Sequence, residues 1–230
     1  MNPSRGRRML AEGVGTALLV SIGTGAIVLF ARAGGAAQWE LAGAWLVAVL
    51  IPIVLFVDVS GAHLNPVVTL GLALSGRVAW AEAPSYLVAQ FAGAFLGSAL
   101  VAASFGTEAH LGSTVPSTGV LVAFGAEATF TAALVAAVFL LADRGVGRRR
   151  WRLALPPLVV GVSTYLIGPL TGSSLNPART LAPAILSGTT TDLWVYLTAV
   201  PLGALLVAAA WRPRSVDRLD RGPGRVETSA

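Results

Sequence analysis

The sequence predicts an all-α membrane protein: six transmembrane helices plus two re-entrant half-helices, arranged as an inverted 3+3 repeat. Three observations carry the prediction. The 230 residues are 55% hydrophobic and only 12% charged, about half the charged share of an ordinary soluble domain. Six long apolar runs alternate with short polar segments. A short segment built around Asn-Pro occurs twice, as SGAHLNPVVTLGLALS from Ser60 to Ser75 and TGSSLNPARTLAPAIL from Thr171 to Leu186.

Arg5, Arg7 and Arg8 precede the first apolar run, about Met9 to Ala31. Ala31-Arg32-Ala33 has the look of a signal-peptide cleavage site, but the run is too long for such a leader and carries Glu12. The second run spans about Leu41 to Val59, and the third Glu82 to Ser104. Residues 105–118, FGTEAHLGSTVPST, read as a polar loop. The fourth run, Gly119 to Ala142, ends at a charge cluster of Asp143, Arg144, Arg148, Arg149, Arg150 and Arg152. Leu153 to Leu170 is the fifth and Leu193 to Trp211 the sixth.

The two Asn-Pro segments are different in kind. Asparagine is a strong N-cap and proline is favoured at the first helical position, so Asn65-Pro66 and Asn176-Pro177 each read as a helix start. Each following helix is about ten residues, roughly 15 Å, or half a bilayer core.

Six spans leave both ends on one face. Arg5, Arg7, Arg8, Arg77, the 144–152 cluster and the Arg-rich tail fall there, while the opposite loops hold Glu40, Glu108, His110, Asp192 and, of the arginines, Arg32. The positive-inside rule then places both termini in the cytoplasm. The net charge of +5 is explained by this orientation and does not point to nucleic acid. With no cysteine and only His63 and His110, neither a thiolate metal site nor a histidine cluster is expected, and no cofactor is implied.

The halves repeat one another. Ala11-Glu12-Gly13-Val14-Gly15-Thr16-Ala17 aligns with Ala126-Glu127-Ala128-Thr129-Phe130-Thr131-Ala132, and each glutamate precedes its Asn-Pro by a similar distance, 53 and 49 residues. Each unit holds three spans, an odd number, so the second is inverted relative to the first. Inverted repeats with interrupted helices bring their half-helix tips together near the bilayer midplane.

These residues resemble the aquaporins, the major intrinsic protein family. SGAHLNPVVT and SLNPART resemble its paired Asn-Pro-Ala boxes (Asn65, Pro66, Val67 and Asn176, Pro177, Ala178), Glu12 and Glu127 its repeat-start glutamates, and Arg179 the arginine after the second box. The resemblance implies one aquaporin-like channel domain over residues 1–211, with repeats at about 9–104 and 119–211 and a disordered cytoplasmic tail at 212–230. It also implies a homotetramer in the lipid bilayer, passing water and small uncharged solutes such as glycerol while excluding protons and ions.

Two half-helix N-termini, each worth about half a positive charge, oppose a proton at their meeting point by about 4 kcal/mol at about 4 Å and an effective dielectric near 20. Asn65 and Asn176 would each offer an amide N–H to a passing oxygen while their own oxygens cap the helices. By resemblance Glu12 and Glu127 accept backbone N–H groups of the re-entrant loops, and the selectivity filter comprises Trp45, Thr164, Ser173 and Arg179. A charge at the centre of a span costs about 2.5–3.5 kcal/mol, so Arg179 is not incidental. For Trp45 the structural alternative is an anchor at the lipid interface.

Trp45 resembles glycerol-conducting and nodulin-26-like members, and Thr164 stands where strict water channels carry His. Thr180 and Ala184 resemble water channels instead, since glycerol facilitators have Asp and a basic residue there. Val67 replaces the alanine of the first box, either narrowing the lumen or being absorbed by packing. His63 is either a loop-packing or a cytoplasmic-mouth residue, and Asp58 either pairs with Arg77 or lines the same mouth. A strict water channel and a urea or metalloid facilitator are the alternatives in solute. An inverted-repeat secondary transporter would need ionisable groups at the tips, and an enzyme a nucleophile and base; neither set is present in the motifs.

Overall fold

A segment crossing hydrocarbon must satisfy its own backbone, and for these apolar runs the helix is the means. The computed structural model describes residues 3–143 and 149–211. Its helices are α1 (Arg5–Arg32), α2 (Gln38–Ser60), α3 (Pro66–Leu74), α4 (Ala83–Phe105), α5 (Val120–Asp143), α6 (Arg149–Thr171), α7 (Pro177–Ser187) and α8 (Leu193–Ala210). Six of them are long and apolar enough to cross a membrane. The other two, α3 and α7, have nine and eleven residues, about 14 and 17 Å at 1.5 Å per residue. The expected tail at 212–230 and Arg144 and Arg148 of the charge cluster lie outside the described residues.

The helices extend a few residues past the apolar runs because their ends are capped at the interface. Ser4 Oγ accepts from the Arg7 N–H at the start of α1, and Gly61 and Gly188, both left-handed, close α2 and α7. At the face bearing the chain ends Arg8 pairs with Glu82 at 2.5 Å. The α1 helix packs along α4 and α2 with Glu12 fully buried, and so is part of the core rather than a leader laid against it.

The repeat is visible in the packing. Helix α1 packs on α2 and α4 as α5 packs on α6 and α8, α2 meets α6 across the centre, and each half-helix reaches into the other repeat, α3 onto α8 and α7 onto α4. Small residues set the tightest crossings. A Cβ at Gly93 would clash with the Gly13 carbonyl on α1, and one at Gly203 with the Ala128 carbonyl on α5. These are the same helix pair in the two repeats, brought close by glycine as membrane helices commonly are.

Residues 105–118 are more ordered than a polar loop requires. Ala109, His110 and Leu111 have φ of 45°, 51° and 53°, and Gly112 has 66°, so the segment winds through a left-handed turn. Leu111, at 0% exposure, anchors it against Val28 and Val101.

The backbone contact makes Gly93→Ala destabilising by about 1–3 kcal/mol, read as a fall in the thermal unfolding midpoint in detergent. Gly125→Ala, where an added Cβ meets nothing within 4 Å, should leave the midpoint unchanged or raise it.

Candidate functional site

The site begins with two breaks in the helices. Between α2 and α3, φ is positive at Gly61, Ala62 and Leu64 (88°, 49°, 55°); between α6 and α7 it is positive at Gly172, Ser173 and Leu175 (77°, 49°, 53°). A non-glycine residue in the left-handed region costs about 1–2 kcal/mol, and the loops' N–H groups have no helix to bond within. Two buried carboxylates answer both needs. Glu12 Oε1 accepts from the Ser60 hydroxyl (2.6 Å) and the His63 N–H (2.9 Å). Its Oε2 accepts from the Leu64 N–H and the Gln90 amide, both at 2.8 Å. Glu127 Oε1 accepts from the Thr171 hydroxyl (2.7 Å) and the Ser174 N–H (2.9 Å), and Oε2 from the Leu175 N–H (3.0 Å). Tyr86 and Tyr196 donate to the carbonyls that end α2 and α6, those of Ser60 (2.9 Å) and Thr171 (2.5 Å).

The half-helix tips then meet. Asn65 Oδ1 accepts from the Val67 N–H (3.1 Å), and Asn176 Oδ1 from the N–H groups of Ala178 (3.0 Å) and Arg179 (3.3 Å). Each amide nitrogen crosses to the other repeat, Asn65 Nδ2 to the Leu175 carbonyl (2.7 Å) and Asn176 Nδ2 to the Leu64 carbonyl (2.9 Å). An amide carries two N–H groups, so one on each asparagine is left for the lumen.

That lumen is two cavities. One, of about 210 Å³, runs past the asparagine tips to Arg77 and Val78 at the chain-end face. One wall is aliphatic, including Val49, Ile53, Val68 and Leu134; the other is the backbone edge of Gly61–Asn65 and Ser174–Asn176. The second, about 200 Å³, opens on the opposite face between Gln38, Ser113, Thr164 and Gly172. Trp45 and Arg179 border both cavities. The Arg179 guanidinium lies 4.4 Å above the Trp45 ring and donates through Nη1 to the Gly112 carbonyl at 2.9 Å. Arg179 is 1% exposed, and its Nε is buried without a hydrogen-bond partner, as is the Thr164 hydroxyl. Trp45 fits because residue 23 is glycine, whose added Cβ would fall 2.5 Å from the indole.

The remaining expected residues divide. Of the two boxes only Asn65 and Asn176 line a cavity. Pro66, Pro177 and Ala178 are buried in packing, and Val67 sits in a cluster with Val135, Phe139 and Val200, so its two extra methyls are absorbed there and do not narrow the lumen. Ser173 lines neither cavity; its hydroxyl is 2.6 Å from that of Ser163, and the flanking Gly172 and Ser174 face the lumen instead. Trp45 is 4% exposed, which excludes the lipid-interface position. His63 lines the larger cavity, with Nδ1 3.1 Å from the Thr69 hydroxyl and its ring against Tyr86. Asp58 is exposed on α2 and is not in that lining. Arg77 pairs with Asp143 at 2.7 Å rather than with Asp58, because Asp143 ends α5 at the same mouth. Several contributors were not anticipated: Gln90, Tyr86, Tyr196, the Gly112 carbonyl, and Gln38, which donates to the Thr164 carbonyl at 2.5 Å.

Replacing Glu127 by Gln sets an amide nitrogen against an N–H donor in a buried site and should cost about 2–4 kcal/mol, measured by thermal unfolding in detergent. Val67→Ala should cost about 1–2 kcal/mol, chiefly lost packing, and leave permeability in proteoliposomes unchanged.

The family model of the major intrinsic proteins matches residues 2–211. The chain is 36% identical over 213 residues to aquaporin NIP1-3 of Oryza sativa subsp. japonica, covering 89% of this chain and 72% of that protein. It is 37% identical over 217 residues to the glycerol uptake facilitator protein of Pseudomonas aeruginosa, covering 80% and 75%. The X-ray structure of the aquaglyceroporin from Plasmodium falciparum superposes with a TM-score of 0.77 at 28% identity, covering 90% of this chain and 95% of that one. On its two glutamate-held loops, its paired asparagine tips and this match along nearly the whole membrane region, the chain belongs to the major intrinsic protein family.

Proposed function

We propose that this protein is a passive channel for water and small uncharged solutes, glycerol among them, with selection at the contact between Arg179 and Trp45. The observation that carries the reading is the lumen itself: a narrow path with an aliphatic wall facing a line of polar backbone, interrupted at one cation and one indole. A polyol has the same two sides, carbon and hydroxyl. Trp45 and Ile27 would take its carbon face, while Arg179 and the Thr164 hydroxyl, both with unmatched buried hydrogen-bonding capacity, would take its oxygens. The glycerol uptake facilitator among the relatives supports this choice of solute.

Protons and cations are refused at two places. A monovalent cation about 5 Å from the guanidinium is opposed by about 3 kcal/mol at an effective dielectric near 20, about 100-fold in rate. At the tips, Asn65 and Asn176 donate to a water from both sides, with the N-termini of α3 and α7 behind them. A water that accepts from both has no lone pair free to take a proton from the next water in the file. Among the described residues no carboxylate lines the larger cavity, and the oxygens of Glu12 and Glu127 are bonded to the loops, which weighs against an ion-coupled transporter.

A strict water channel is the second reading, and the closeness of guanidinium to indole, 4.4 Å, favours it. In either case the chain-end face is cytoplasmic, in keeping with Arg5, Arg7 and Arg8 there, and the exposed apolar flanks, Leu121 at 81% among them, meet lipid or neighbouring subunits of a homotetramer.

Light scattering of proteoliposomes after osmotic shock separates the readings. Fast shrinkage with an impermeant osmolyte together with accelerated glycerol entry is expected, and fast water flux alone would establish the narrower channel. Arg179→Ala should raise cation entry about 100-fold; unchanged ion exclusion would remove Arg179 from the selecting role.

A further inference from the structure

We propose that Arg32 and Glu108, a surface ion pair outside the lining of both cavities, are positioning residues that set the selectivity of the constriction. They do so by holding the left-handed turn that presents the Gly112 carbonyl to Arg179.

The chain of contacts is continuous. The Arg32 guanidinium binds Glu108 through two bonds, Nε to Oε2 at 2.6 Å and Nη2 to Oε1 at 2.8 Å, and Nη2 also donates to the Phe105 carbonyl at 3.2 Å. This fixes the end of α1 to the residue that opens the turn. Ala109, His110 and Leu111 follow, all with positive φ, and Gly112 closes it. Three consecutive non-glycine residues in this region are strained, and such strain persists only where the surroundings over-determine it. On the far side the turn is tied to the segment after α7: His110 Nδ1 lies 3.0 Å from the Thr189 hydroxyl.

The product of this construction is one carbonyl. Among the described residues, Gly112 O is the hydrogen-bond acceptor of the Arg179 guanidinium. Gly112 sits close against α1, where an added Cβ would fall 3.0 Å from Ile27 and 3.2 Å from Thr24. The position of the turn therefore decides how far the guanidinium is drawn off the Trp45 face, and hence what passes between them. Residues held in left-handed backbone gather where a ligand must be met accurately. Here Ala109 and Gly112 of the strained turn border the second cavity themselves, and the Gly112 carbonyl passes the position of the turn to Arg179.

This inference rests on the reading of Arg179 as the selecting residue, so both are tested together. Parent, Glu108→Gln, the charge exchange Arg32→Glu with Glu108→Arg, and Arg179→Ala are reconstituted, and glycerol-to-water and urea-to-water permeability ratios are measured at low salt. Exposed pairs are worth little in stability, so the unfolding midpoint of Glu108→Gln should match the parent, whereas its ratios should shift by about two- to fivefold. The charge exchange should return them towards parent values, which a loop acting only as structural cover would not require. A shift in Arg179→Ala with none in Glu108→Gln overturns the tether alone, as does a shift that the exchange fails to reverse. No shift in Arg179→Ala overturns the filter reading and the tether with it.

Discussion

The constraint on which this structure depends is that backbone polar groups cannot be left unsatisfied in hydrocarbon. A lumen at the midplane needs exposed carbonyls and donors there, so helices must be interrupted where interruption is most costly. Two carboxylates resolve the conflict. Glu12 and Glu127 are 0% exposed, and each gathers backbone N–H groups from its own loop together with a hydroxyl at the end of the preceding helix. Charge-assisted bonds are about twice as strong as neutral ones, enough to offset the positive-φ strain of Ala62, Leu64, Ser173 and Leu175. The donors are thus turned to the glutamates, while the loop edge left over faces the lumen. Polarity of the pore and burial of the acids are two sides of one arrangement.

The pseudo-symmetry of the repeats makes their differences informative. From Ser60 to Thr69 and from Thr171 to Thr180 the two loops correspond at a constant offset of 111 residues. The offset pairs Ser60 with Thr171, His63 with Ser174, Asn65 with Asn176, and Thr69 with Thr180. His63 with Thr69 and Ser174 with Thr180 are even the same side-chain pair, in contact in each half. Three residues past each asparagine the match fails: Val68 stands in the first repeat and Arg179 in the second. Both line the lumen. One position, inverted by the repeat, thus supplies an apolar wall towards the chain-end face and a cation towards the other. The two halves of the path differ in chemistry without differing in backbone.

Much of this was legible in the sequence because the signals are local. Apolar runs of span length, Asn-Pro at a helix start and two glutamates at matching offsets need no tertiary knowledge. The constriction residues came from the family resemblance; Trp45, Thr164 and Arg179 line the second cavity together, whereas the Ser173 hydroxyl faces Ser163. A one-residue difference along a left-handed loop changes which side chain points inward, and no helical arithmetic covers that. The arginine partner was out of reach for another reason. Asp58 and Asp143 were both available to Arg77, and only the packing of α5 beside α3 selects Asp143. The Gly112 carbonyl was hidden too, since a main-chain oxygen leaves no mark on a sequence. The two tyrosines could have been found by extending the 111-residue comparison past the half-helices, where Tyr86 and Tyr196 recur at nearly the same offset, whereas Gln90 falls opposite Val200 and has no counterpart.

The state of Arg179 links this architecture to selection. A guanidinium has five N–H donors, and with water removed each unmatched donor is costly. Here Nη1 has Gly112, the flat face has Trp45, and Nε has no partner. A more complete set of acceptors would stabilise the fold but would leave nothing for a solute to satisfy. A carboxylate at this point would neutralise the charge to which we assign the refusal of cations. The nearest glutamate in the repeat, Glu127, is instead bonded to Thr171, Ser174 and Leu175, so it supports the loop that carries Arg179 without quenching it. On the function proposed above, incomplete satisfaction at one buried cation, held by loops whose N–H groups are bonded to Glu12 and Glu127, would let a neutral molecule with oxygen atoms replace its lost hydration at the constriction while an ion could not.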